Sequence, residues 1–287
     1  VDVFFVISGF LITGIIRRNL NQHTFSLGAF YARRARRLFP AAYVTFLITV
    51  LLAPYLLTSN ELRDFGRQLI GALSFTANYV LKNQTGYFDG AADLKPLLHT
   101  WSLSVEEQFY FIIPTLLIGI PFKRHREFFI LLFALSLAGS FVAKANPETI
   151  FYTLPYRAWE LALGALGAQF MPLISASTRR LRVPRWMPWL VLVILPLIPM
   201  ARLYPLHCAL IASVATVCLL MRPTRIPRNQ SFRTLIKIGD MSYALYLVHW
   251  PIFAIFNNVV IQTTPSVPWI RLCLVLLAFL LALVLHY

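Results

Sequence analysis

Hydrophobic segments of membrane-spanning length recur along this chain, separated by short basic connectors, and no other feature limits its fold so strongly. The segments are Val1 to Ile16, Leu38 to Leu57, His99 to Ile120, Glu127 to Ala143, Leu154 to Met171, Trp186 to Met200, Leu206 to Met221, Asp240 to Asn257 and Trp269 to Tyr287. They are continuous runs, whereas a transmembrane barrel would need alternating segments of roughly ten residues. The expected fold is therefore all-α: a polytopic bundle of about nine spanning helices in one domain, residues 1–287. Composition agrees, with 58% hydrophobic and 13% charged residues, against roughly 25% charged in soluble domains.

One further segment, Phe65 to Leu81, is interrupted by Arg67, Gln68, Ser74, Thr76 and Asn78. Parity decides its status. The connectors Lys123 to Arg126, Arg179 to Arg185 and Arg222 to Lys237 are all basic, as is Arg17 to Arg37. All four lie on the cytoplasmic side only if Phe65 to Leu81 does not cross completely. It is expected to be a re-entrant or interfacial helix, leaving Lys82 to Leu98 as an extracytoplasmic loop. The net charge of +15 sits in these bursts; it reads as orientation signal and attraction to the lipid bilayer rather than as a nucleic-acid surface. Cys208, Cys218 and Cys273 fall in apolar runs without metal-ligand spacing, so they read as small buried hydrophobes, and no metal site is expected.

The polar leader His99 to Tyr110 carries the chemistry. On a helix beginning near His99, the residues His99, Ser102 and Glu106 stand at i, i+3 and i+7, within roughly 60° of arc. An ionisable residue in a hydrophobic span is costly and marks a functional site by default. An interfacial helix cap is the competing reading for Glu106, and more so for Glu107, which points about 80° away from the stripe. His249 sits mid-segment before Pro251 among Tyr243, Tyr246 and Trp250. It fits a satisfied core histidine, or an imidazole for substrate contact and proton transfer. The candidate catalytic set is Glu106, His99, His249 and Ser102.

Arg33, Arg34, Arg36 and Arg37 form a dense array of fork-shaped donors, paired at i, i+3 as Arg33/Arg36 and Arg34/Arg37. Such pairs suit bidentate capture of phosphate, while a lipid-facing orientation signal is the alternative. Arg157 and Glu160 have the i, i+3 spacing of an ion pair near a membrane face. Fingerprints for a nucleophile elbow, a phosphate loop, a zinc helix and a dinucleotide fold are missing. What remains is a bundle with an arginine clamp on one side and a His/Ser/Glu stripe opening to the other.

Several stretches resemble the acyltransferase-3 family of membrane acyltransferases: Val1 to Ile12, Phe30 to Ala41, Gly86-Tyr87-Phe88-Asp89, Leu97 to Tyr110 and Ser242 to Pro251. The resemblance is nearest to the bacterial branch that O-acetylates surface polysaccharides such as lipopolysaccharide O-antigen. It implies transfer of acetyl from cytoplasmic acetyl-CoA, used as a substrate, to a sugar hydroxyl of a polysaccharide or lipid-linked glycan acceptor, at the bacterial inner membrane. The family's Arg-x-x-Arg motif falls on Arg34 and Arg37, with a second register on Arg33 and Arg36. Asp89, Arg157 and Glu160 are expected on the substrate side. The resemblance also implies a first transmembrane helix, with the family's central histidine, ahead of Val1, and often an SGNH-type domain beyond Tyr287. Two rival readings stand beside this one: a transporter or flippase for an anionic or glycosylated lipid, and an inactive piece lacking the histidine helix.

Overall fold

The structure, a computed structural model, describes residues 1–85, 91–143, 146–175, 184, 186–198, 205–221, 230–260 and 268–286. Every regular element among them is helical. In order these are α1 (Asp2–Asn21), α2 (Leu27–Leu56), α3 (Ser59–Leu73), α4 (Ala77–Lys82), α5 (Thr100–Gly119), α6 (His125–Val142), α7 (Pro147–Tyr152), α8 (Leu154–Ser175), α9 (Met187–Ile194), α10 (Pro205–Leu220), α11 (Gln230–Asp240), α12 (Ser242–Val260) and α13 (Pro268–His286). Short 3-10 turns occupy Ala92–Leu94, Phe122–Arg124 and Leu195–Leu197.

Four helices are long and apolar enough to cross a membrane among the described residues: Asp2–Asn21, Leu27–Leu56, Phe122–Val142 and Trp269–His286. These four do not confirm the expected count of about nine. α9 and α10 are short at 8 and 16 residues. The leader of α5 carries Glu106 and Glu107, and α8 carries Arg157 and Glu160. Helices that hold chemistry lose hydropathy for that reason.

Other boundaries move as well. The connector expected over Arg17 to Arg37 shrinks to residues 22–26, because α1 runs on to Asn21 and α2 begins at Leu27. The arginine cluster is therefore helical, and Pro40 lies inside α2 rather than in a first turn. Its ring withdraws one donor from the helix ladder, at the carbonyl of Arg36. Phe65 to Leu81 is not one helix: α3 starts at Ser59, behind a capping box in which Thr58 N–H donates to Glu61 at 2.8 Å. It breaks at residues 74–76, where Phe75 takes φ 56°, and resumes as α4. The break brings the chain back so closely that a Cβ on Gly71 would lie 2.9 Å from the Cα of Ala77. Within the expected connector Arg222 to Lys237, residues 230–237 are helical, as the start of α11. This helix pairs exposed Leu235, Ile236 and Ile238 with Arg233 and Lys237, the pattern of a helix lying at an interface. Cys208 and Cys218 are only half-buried and Cys273 is exposed, so the expected burial of the cysteines does not hold.

The backbone gathers into two compact units. The first comprises Val1–Leu27 with Glu106–Thr224. Its centre is the pair α1 and α8, which run in the same sense: Asp2 meets Arg157, and further on Gly14 meets Ala168. A Cβ on Gly9 would lie 1.9 Å from the Leu161 carbonyl oxygen, and one on Gly164 would lie 2.0 Å from that of Val6. Backbone contact on this scale is open only to glycine, and it closes α1 onto α8 around Phe5, Val6, Leu161 and Ala165. On another side of α8, α6 packs in the opposite sense. There Ser136 accepts from Trp159 N–H at 2.9 Å and donates to the Pro155 carbonyl at 2.6 Å, splicing a hydroxyl into the first turn of α8.

The second unit comprises Gly28–Val105 with Arg225–Tyr287. α12 and α13 meet through Ala244, Val248, Ala278 and Ala282, small residues that allow close approach in lipid. The segment before α5 is tied to α12: Trp250 Nε1–H donates to the Lys95 carbonyl at 2.9 Å and Asn258 donates to the Leu94 carbonyl at 2.8 Å. It is tied to α3 by buried Gln68, which donates to Gln84 at 2.9 Å, while the Lys95 ammonium donates to the Gln84 carbonyl.

Candidate active site

These ties fix His99 just ahead of the first turn of α5, in the second unit. Its ring is buried and lies against those of Tyr246 and His249, with centroids 5.4 and 5.9 Å away. Both are on α12, three residues apart and so on one face. The Tyr246 hydroxyl donates to the His99 carbonyl at 2.6 Å and hydrogen-bonds the Ser102 hydroxyl. Three of the four expected catalytic residues, His99, Ser102 and His249, thus form one cluster, completed by Tyr246.

The hydrogen bonds define the state of each imidazole. His249 Nδ1 lies 2.7 Å from the Tyr246 carbonyl and 3.1 Å from that of Leu245. Two acceptors require a donor, so Nδ1 carries the proton and Nε2 of the neutral ring is a free base. His99 differs: neither of its nitrogens makes a hydrogen bond of ordinary geometry, although the backbone of Leu247 is near enough to interact with the ring. Leaving a buried donor or acceptor without a partner costs about 1–3 kcal/mol. Such a group in a cluster of this kind is suited to receive one from a substrate.

Glu106 belongs to the first unit. One oxygen of its buried carboxylate accepts from the hydroxyls of Ser8 on α1 and Tyr110 one turn along α5. Such donors stabilise a carboxylate in an apolar surrounding. Glu107 is also buried, against the expectation of an interfacial cap. Arg157 and Glu160 pair at 3.1 Å as their spacing foretold, and Asp2 joins them with an oxygen 2.5 Å from the guanidinium. Phe5 and Phe151 lie under that guanidinium, 5.7 and 5.6 Å from it.

Arg33, Arg34, Arg36 and Arg37 lie on the N-terminal part of α2, Arg34 half-buried and the other three exposed. Asp89 lies outside the described residues. Tyr246, Ser8, Tyr110 and Asp2 escaped sequence reasoning as site residues. Tyr246 carried a signal nonetheless, its i, i+3 spacing to His249. Ser8 and Asp2 carried none, since their partners are about 100 and 155 residues away. No group of three or more metal-ligating side chains occurs among the described residues.

Comparison with known proteins gives a second line of observation. The profile of a family described as an acyltransferase domain matches residues 1–287. A putative membrane-bound transacylase, BcsY of Komagataeibacter xylinus, is 32% identical over 270 residues, covering 90% of this chain and 66% of that protein. The peptidoglycan O-acetyltransferase OatA of Listeria monocytogenes is 27% identical over 305 residues, covering 98% of this chain and 49% of that protein. An uncharacterised protein of Haemophilus influenzae is 38% identical over 177 residues, covering 58% of this chain and 72% of its own length. The chain therefore spans about half the length of OatA and two thirds of BcsY. No solved structure matches.

Proposed function

Because this chain belongs to the acyltransferase-3 family, we propose that it transfers an acetyl group from acetyl-CoA to a hydroxyl of a cell-envelope polysaccharide, with units 1 and 2 serving as one domain of an inner-membrane protein. The observation that carries this reading is the His99/His249 pair: a buried imidazole with no hydrogen bond of ordinary geometry beside a second one whose Nε2 is held as a free base. A sugar hydroxyl is a weak nucleophile at neutral pH, and a positioned base is worth about 10²–10⁴ in rate. His249 Nε2 takes the hydroxyl proton as the oxygen attacks the thioester carbonyl. The new C–O bond forms, the C–S bond breaks, and the thiolate of coenzyme A leaves to be protonated. His99 supplies the hydrogen bond that holds the incoming hydroxyl. Ser102 and Tyr246 position both rings.

The remaining roles follow from charge. Arg33, Arg34, Arg36 and Arg37 take the phosphates of the donor, for which forked, permanently charged side chains on one helical turn are suited. The carboxylate of Glu106, held by Ser8 and Tyr110, acts on the chemical step through its negative charge, His249 being the group that takes the hydroxyl proton. Asp2, Arg157, Glu160 and Asp89 serve the acceptor side. Among acceptors, similarity to the peptidoglycan O-acetyltransferase OatA favours a peptidoglycan-type glycan over O-antigen. An SGNH domain in the whole protein would be a further partner.

Proteoliposomes of the whole protein, given acetyl-CoA labelled in the acetyl group, test the reading. Label is expected in added glycan acceptor, with Arg34→Ala and Arg37→Ala each raising the KM for acetyl-CoA and lysine replacements restoring it in part. Acceptor movement across the bilayer with no acetyl-CoA consumed would instead establish a transporter.

A further inference from the structure

A second basic cluster lies in the first unit, where α1 ends and α6 begins; the arginines of α2 belong to the second unit. It is a built arrangement. His125 is buried, and its Nε2 lies 2.9 Å from the carbonyls of both Leu117 and Ile120, so it donates to the last turn of α5 and fixes the turn into α6. That turn sets the Phe122 ring against the His125 ring, centroids 5.3 Å apart, and under the Arg17 guanidinium at 4.6 Å. One residue further, the Arg126 guanidinium lies over Phe170 of α8 at 5.9 Å. Arg17 thus reaches, through the Phe122 and His125 rings, the turn of chain that carries Arg126.

Neither arginine forms an ion pair among the described residues, and Glu127, next in sequence, does not reach them. Nδ1 of His125 is also buried without a hydrogen-bond partner. An orientation signal needs only scattered cations, and exposed arginines free to do so turn away from one another. Here Phe122 braces one guanidinium and Phe170 the other, and Arg18, Lys123 and Arg124 add charge at the same end. Like charges braced on neighbouring turns are relieved by a multivalent anion, and the forked donors match the oxygens of phosphate.

We propose that Arg17 and Arg126, braced by Phe122, Phe170 and His125, form a phosphate-binding site at the basic end of the first unit. This goes beyond the reading of the chemistry above and does not depend on it. The phosphate belongs either to an anionic lipid headgroup in the adjoining leaflet or to a soluble nucleotide; both present the same oxygens.

The test uses the full chain purified in a neutral detergent, with thermal unfolding followed by tryptophan fluorescence. Phosphatidic acid, compared with phosphatidylcholine, probes the lipid source; adenosine 3′,5′-bisphosphate, compared with adenosine, probes the soluble one. At least one phosphate probe is expected to raise the Tm, with half-saturation shifted about tenfold or more in Arg17→Gln/Arg126→Gln and little in Arg18→Gln. Arg17→Lys/Arg126→Lys, which keeps both charges, is expected to fold and to bind with intermediate strength. Protection by the lipid alone or by the nucleotide alone assigns the source; protection by both establishes phosphate recognition without preference. No shift with either probe overturns the site, and so does equal protection of the wild-type protein and the Arg17→Gln/Arg126→Gln variant.

Discussion

At the scale of single residues, His249 offers the sharpest separation of structure from chemistry. Asparagine places an amide N–H near the position of Nδ1 but has nothing where Nε2 stands. In His249→Asn the bond to the Tyr246 carbonyl is therefore kept and the base is lost. We expect kcat to fall by about 10²–10⁴ while acetyl-CoA binding and Tm hold. A variant that folds and turns over normally would leave His249 a satisfied core histidine. Tyr246→Phe removes one hydroxyl shared by His99 and Ser102, so a loss of about 1 kcal/mol in stability and a smaller fall in kcat are expected. Glu106→Gln keeps the shape that Ser8 and Tyr110 grip but removes the charge and the basicity. Turnover should drop strongly with donor binding unchanged, and Glu107→Gln should be milder; wild-type turnover in Glu106→Gln would make that carboxylate a structural group.

At the scale of elements, the contact of α1 with α8 is the tightest test of packing. The space for a side chain at Gly9 is occupied by a backbone carbonyl, which cannot rotate away as a flexible side chain would. Gly9→Ala should push the helices apart and cost about 1–3 kcal/mol, read as a lower unfolding temperature in detergent. The same substitution at Gly28, where nothing lies within 4 Å, should cost only what helix propensity dictates and is expected to be neutral or stabilising. Equal effects at the two positions would mean that α1 and α8 do not touch through glycine. The sequence showed the Ser8-Gly9 pair as a place for close approach, but it did not show the partner. That partner is about 150 residues away, and local patterning carries no such information.

At the scale of the molecule, the sense of the helices in the first unit bears on how the chain threads the bilayer. Ser8 lies level with Glu106 and Arg17 with Phe122, so α1 and α5 run in the same direction. Between them the chain makes an odd number of crossings; α2 supplies one, and α3 with α4 would together supply none. In a cysteine-free background, single cysteines at Arg63 and Lys82 are expected to react with an impermeant reagent from one side. Cysteines at His23 and Lys123 should react from the other. Labelling of Arg63 and Lys82 from opposite faces would require a full crossing by this segment and a different count of spans.

The sequence by itself determined that the chain is helical and membrane-embedded, because hydropathy and helical period are local properties. It also placed His99, Ser102, Glu106, His249 and the arginine cluster as candidates, since ionisable residues in apolar runs stand out against their neighbours. It did not determine the helix limits at Pro40 and Ser59. A proline is tolerated inside a helix when surrounding contacts stabilise it, and a capping box starts α3 six residues before the apolar run. Only the tertiary structure divided the candidates, setting His99, Ser102 and His249 with Tyr246 in one unit and Glu106 with Ser8 and Tyr110 in the other. It alone locked the His249 tautomer and left the nitrogens of His99 without hydrogen bonds of ordinary geometry. Those outcomes depend on which distant helix turns bring a carbonyl or a hydroxyl to a given ring, and residues close in sequence do not encode that.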